Sequence, residues 1–126
     1  MNENEISYKI RGIVFDIYKK LGPGLFESVY EDIMFYEIQK SGMSVEKQVP
    51  LPVVWDDLKL ERGYRIDLLI EKKVIVEIKS IENIGPVHYK QLATYVKLSN
   101  LKLGLLINFF ENDIKNGIKR YINGEL

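Results

Sequence analysis

The sequence predicts a mixed α/β fold in which helices pack on a central sheet, and three observations carry that reading. Two stretches of helical periodicity fill the chain up to Gly42. Strand-length apolar runs follow between Ser44 and Lys79, and a helix-then-apolar-strand pair occupies Pro86 to Asn108. Helices on one side of a run of strands, followed by one more helix and strand, bury their apolar faces most simply as layers on a common sheet.

Ile6, Ile10, Ile13, Val14, Ile17 and Leu21 recur at helical spacing, and Asn2 followed by Glu5 forms a capping-box pattern, so residues 4–21 are expected to be an amphipathic helix. Gly22-Pro23-Gly24 breaks it. A second helix is expected from Glu27 to Lys40, with Gly42 at the usual C-terminal glycine position. From Ser44 to Trp55 the side chains alternate, placing Val45, Val49, Leu51 and Val53 on one face and Glu46, Gln48 and Pro50 on the other. Its two prolines cannot donate ladder hydrogen bonds, which puts part of this strand at an edge or bulge. Asp56-Asp57 turns the chain into a strand from Leu58 to Ile70, and a tight hairpin at 71–73 leads into Val74–Lys79. Pro86 suits the first turn of a helix whose apolar face is Tyr89, Leu92, Ala93 and Val96, and which ends at Asn100. A buried strand follows at Leu103–Asn108. Residues 113–123 fit helix and strand spacing about equally, with a strand favoured after Gly117. The expected order is α-α-β-β-β-α-β with an extra C-terminal strand, in one domain spanning 1–126.

Composition narrows the chemistry. The 18 basic and 18 acidic residues cancel, so the whole molecule has no electrostatic drive toward nucleic acid or an anionic membrane, although a local groove can be hidden in a balanced total. The absence of cysteine removes disulfides, thiolate zinc sites and thiol nucleophiles together. With only His88 as an imidazole, a zinc centre is disfavoured, and oxygen ligands suit Mg²⁺ or Mn²⁺. Met1 to Lys9 lacks the features of a signal peptide, and no apolar run is long enough to span a membrane, from which a cytoplasmic location is expected.

Within Glu77-Ile78-Lys79, strand periodicity sends the carboxylate and the ammonium to one face. A three-residue hairpin pairs Ile70 with Val74, and counting back brings Asp67 opposite Glu77. Two facing carboxylates repel unless a proton or cation lies between them, and a divalent metal resolves the conflict. Lys79 beside them is suited to orienting a water or steadying charge on a phosphoryl oxygen. Alternating acid and base on a wet sheet face is the plainer explanation of the same pattern. Two facts favour a site: the apolar run of Val74–Lys79 marks a central strand, and its charges gather at one end, where α/β folds place their sites.

Gly24-Leu25-Phe26-Glu27-Ser28-Val29-Tyr30 matches the pattern G-x-x-E-x-x-Y. With Tyr64-Arg65-Ile66-Asp67-Leu68, Val76-Glu77-Ile78-Lys79 and His88-Tyr89-Lys90-Gln91-Leu92, the chain resembles the GxxExxY protein family over nearly its whole length. That family is placed in the PD-(D/E)xK superfamily, so the resemblance implies a restriction-endonuclease-like core akin to RecB-like nucleases and Holliday-junction resolvases. It implies Mg²⁺ held by Glu27, Asp67, Glu77 and the Ile78 backbone carbonyl, Lys79 as the superfamily lysine, and Gln91 at the phosphate or a water. Ile66 stands where the motif has proline, a position that supplies no ligand. Tyr30 and His88 are expected behind these groups, Tyr30 through packing or hydrogen bonding; for His88 a surface or packing role weighs at least as much. His88, Gln91 and Tyr95 share one helix face. Lys19, Lys20, Lys90, Lys97 and Lys102 form no cluster, and Trp55, Tyr64 and Tyr89 are expected in core packing rather than against bases.

The resulting expectation is a Mg²⁺- or Mn²⁺-dependent nuclease acting on DNA or RNA, working as a homodimer or beside a partner because so small a surface holds little duplex. The alternative is a catalytically inactive binding module that keeps the nuclease fold, since a fold does not dictate function.

Overall fold

A computed structural model describes all of residues 1–126. Its elements are α1 (Glu3–Leu21), α2 (Glu27–Lys40), β1 (Val45–Pro50), β2 (Val53–Trp55), β3 (Leu58–Leu60), β4 (Arg65–Ile70), β5 (Val74–Lys79), α3 (Pro86–Leu98), β6 (Leu103–Asn108), a 3₁₀ turn (Ile114–Gly117) and β7 (Ile118–Ile122). Asn2 caps α1 in a full capping box with Glu5, each accepting the other's backbone N–H. No helix is long and apolar enough to cross a membrane.

The main sheet has the order β1-β4-β5-β6-β7. All neighbours are antiparallel except β5 and β6, which run parallel because α3 carries the chain back between them. β5 is therefore central, and five of its six residues are buried. Helices α1 and α2 cover one face, where Ile6, Ile10, Val14, Met34 and Ile38 pack on Val74, Val76, Ile78, Leu103, Leu105 and Ile107. Helix α3 covers the other with Leu92, Tyr95 and Val96 on Ile75 and Leu106. Gly104 permits this approach: a Cβ there would stand 2.6 Å from Val96 Cγ2 and 2.7 Å from Leu92 Cδ1.

Three expectations are corrected. The stretch 44–55 is not one strand, because Leu51-Pro52 interrupts it after Pro50, and β2 pairs only with β3 in a separate two-stranded arm. The stretch 58–70 is likewise divided, at Gly63, whose φ of +81° is open to glycine at little cost. Trp55, Tyr64 and Tyr89 are exposed instead of packed in the core: Trp55, by 72%, and Tyr64 lie on or at the base of an arm that pairs only with itself, whereas Tyr89 lies on α3 against Tyr121 and donates its hydroxyl to the Arg120 carbonyl.

A further departure bears on the site. Val45 packs toward the α1–α2 layer, whereas Val49 and Leu51 pack under α3, so they do not share a face. On the partner strand, Leu68 and Ile70 belong to the α1–α2 layer and Ile66 to the α3 layer. Residues two apart on a regular strand face the same way, so both strands turn over between these positions. Lys47 pairs with Leu68 and Val49 with Ile66, which leaves Gln48 and Asp67 opposite each other at the turnover. Gln48 has φ +53°, a left-handed value that is uncommon outside glycine, asparagine and aspartate.

Candidate metal and nuclease site

Four carboxylates approach the diverging end of β4 and β5. Hairpin pairing is regular from Ile70–Val74 to Leu68–Val76 and would next place Asp67 against Glu77. Instead of facing each other across a ladder, the two side chains reach over to the opposite backbone: Asp67 N–H donates to Glu77 Oε2 at 2.8 Å, and Ile78 N–H donates to Asp67 Oδ2 at 2.8 Å. This reciprocal crossing satisfies two backbone donors that the separating strands would otherwise leave open.

Glu27 arrives from the other layer. It begins α2, and its Oε2 accepts from Ser80 N–H at 3.2 Å just beyond β5, while Ser80 Oγ donates to the Leu25 carbonyl at 2.7 Å. The loop before α2 is held by Tyr30, which is fully buried, stacks on Phe109 at 4.1 Å, donates to the Gly22 carbonyl at 2.5 Å and accepts from Leu25 N–H at 3.3 Å. Glu27, Ser28, Glu31, Gln48, Asp67 and Ile78 line a cavity of about 250 Å³. Glu31 and Gln48 had not been anticipated there. Glu31 follows Glu27 by one helical turn, so its place on the same face was legible from spacing alone.

Electrostatics sets these carboxylates apart. Burial, reinforced by the neighbouring Asp67 charge, pushes Glu77 up to about 8, against a usual value of 4.5. Burial also raises Asp67, with the Ile78 N–H and the Lys79 charge pulling the other way. Glu31 is raised, again chiefly by burial. Two acids that resist ionisation side by side are what a bound cation would relieve. All the available donors are hard oxygens, which fits Mg²⁺ or Mn²⁺ rather than zinc. No three acidic or histidine side chains form a ready-made cage.

Lys79 closes β5 beside this pair, half-buried and paired with Asn108 of β6. Gln91 and His88 are placed differently. The Gln91 amide donates to the Tyr95 hydroxyl at 3.3 Å and lines a cleft of about 450 Å³ with Val53, Tyr64, Val87 and Tyr95, without a hydrogen bond to any carboxylate. Tyr95 links that cleft to the acids: burial and the charges of Glu77 and Asp67 raise its hydroxyl above the usual value. His88 Nδ1 accepts from Gly85 N–H at 3.0 Å, a local cap of α3 that occupies the imidazole at the helix start.

A mixed sheet with a central carboxylate-bearing strand, flanked by helices on both faces, is an α/β core consistent with a nuclease-type fold. The family model described as the PD-(D/E)XK nuclease superfamily matches residues 4–121, and the chain belongs to that superfamily. Neither the curated proteins nor the solved structures provide a match.

Proposed function

We propose that this chain is a divalent-cation-dependent nuclease that hydrolyses phosphodiester bonds of DNA or RNA. The observation that carries the reading is the Asp67–Glu77 crossing at the end of a central strand, with Lys79 next to it, in a chain of the PD-(D/E)XK superfamily. Glu27, Asp67, Glu77 and the Ile78 carbonyl would hold Mg²⁺ or Mn²⁺. When bound, the cation supplies positive charge that neutralises a phosphoryl oxygen and makes water more acidic. Lys79 brings a positive charge to the same end of β5, where it steadies the negative charge that grows on the phosphate during in-line attack. Tyr30 fixes the loop that aims Glu27, and Gln91, released from Tyr95, has the donors to hold a phosphate oxygen.

The even charge balance and the small size of the chain favour one other reading, a nuclease-fold binding module that performs no hydrolysis. Labelled single- and double-stranded DNA and RNA incubated with Mg²⁺ or Mn²⁺ separate the two. Cleavage that disappears in both Asp67→Ala and Lys79→Ala supports the nuclease. Folded wild-type protein that cleaves none of these substrates at high concentration supports the binding module.

A further inference from the structure

Gln48 is the polar residue that joins the two layers at the carboxylate cavity. Its Nε2 donates to Glu31 Oε1 of α2 at 2.6 Å and to Asp67 Oδ1 of β4 at 3.3 Å. Asp67 is therefore gripped from two sides, at Oδ2 by the Ile78 N–H and at Oδ1 by this amide. Two donors on separate oxygens fix the plane of a carboxylate as well as its position. A glutamine is also the right chemistry for the place: it is neutral, so it bridges Glu31 and Asp67 without a charge of its own, and its amide nitrogen has two protons, one for each acid.

The backbone at Gln48 is equally unusual. Its left-handed φ of +53° lies where β1 turns over, in step with β4 at Asp67. Glycine adopts that conformation freely and asparagine tolerates it, whereas an unbranched glutamine gains nothing from it locally. Strained backbone persists where surrounding interactions hold it, and it concentrates at functional sites. Here the strained position delivers the amide that reaches both acids.

We propose that Gln48 is a positioning residue of the cation site, whose amide holds Asp67 in the orientation that receives a divalent ion and keeps Glu31 at the cavity. The assignment rests on the nuclease-site reading and adds a residue to it. Groups that orient a ligand in this way commonly alter metal affinity by about tenfold or more.

Gln48→Gly separates the site role from a purely structural one, because glycine keeps the left-handed turnover and deletes only the amide. Gln48→Asn keeps an amide that is one methylene too short to span Glu31 and Asp67. Mn²⁺ binding is measured on wild type and both variants by calorimetry and by the loss of free-ion signal in electron paramagnetic resonance, alongside Tm in EDTA. The expected result is Mn²⁺ affinity about tenfold weaker in both variants, with the Tm of Gln48→Gly equal to or above that of wild type. Unchanged affinity in Gln48→Gly overturns the assignment and leaves the nuclease site standing, and so does a lowered Tm with affinity intact. A wild type that binds no Mn²⁺ overturns both.

Discussion

Stability of the protein in EDTA should fall as pH rises through neutrality, and Glu77 should be the cause. Folding holds its carboxyl proton up to about pH 8, while the unfolded chain releases it near 4.5. A raised folded-state value stabilises fully below the unfolded value and is lost as pH climbs to the folded one, so the window is roughly pH 4.5 to 8. Within it the folded state binds one proton more than the unfolded state, which corresponds to about 1.4 kcal/mol per pH unit. Across the window this amounts to at most about 5 kcal/mol, and for a domain of this length each pH unit lowers Tm by roughly 5 °C. Glu77→Gln removes the ionisation while leaving an oxygen to accept the Asp67 N–H. Urea denaturation at half-unit steps from pH 5 to 8.5 in EDTA should show a steep decline for wild type and a much shallower one for the variant. Added Mg²⁺ at pH 8 should restore wild type and leave Glu77→Gln unmoved. Wild-type stability that is flat or rising over this range, or equal slopes in the two proteins, would refute the reasoning.

Other substitutions probe the frame around the site. Gly104→Ala should cost about 1–3 kcal/mol in thermal denaturation, because its methyl would collide with Leu92 and Val96 and push α3 off the sheet. Asn108 is fully buried, accepts from the N–H groups of Ile81 and Phe110, and donates to the Ile81 carbonyl. Asn108→Ala should therefore cost about 2–3 kcal/mol and speed hydrogen exchange at the Ile81 amide. Tyr30→Phe keeps the stack on Phe109 but strands the Gly22 carbonyl and the Leu25 N–H, for a loss of about 1–2 kcal/mol in urea denaturation.

Much of the frame could be read directly from residue spacing. Helix α2, the 71–73 hairpin with Ile70 against Val74, and β6 all occur at the positions that periodicity and turn residues indicate. These features are local, fixed by side-chain period and chain reversal within a few residues. The departures came from non-local geometry. The turnover of β1 and β4 at Gln48 and Asp67 leaves no mark in composition, since glutamine is not a residue that announces a left-handed backbone. The exposure of Trp55 and Tyr64 follows from an arm that pairs only with itself, whereas their residue types argued for burial. At the candidate site, register alone brings Asp67 toward Glu77, but their reach to each other's backbone depends on how far the strands separate. Glu31 lay one helical turn from Glu27 and was visible in the spacing.

The arm formed by β2 and β3 leaves and rejoins the sheet through a narrow neck, where Leu51 N–H donates to the Tyr64 carbonyl at 2.8 Å. Its tip carries exposed Val54, Trp55 and Leu58. A segment closed at its base in this way can change length or sequence without shifting the pairing of Val49 with Ile66 beyond it. The arm is thus an exchangeable cassette beside the Tyr64–Tyr95 cleft, where new loops can be grafted while the carboxylates keep their places.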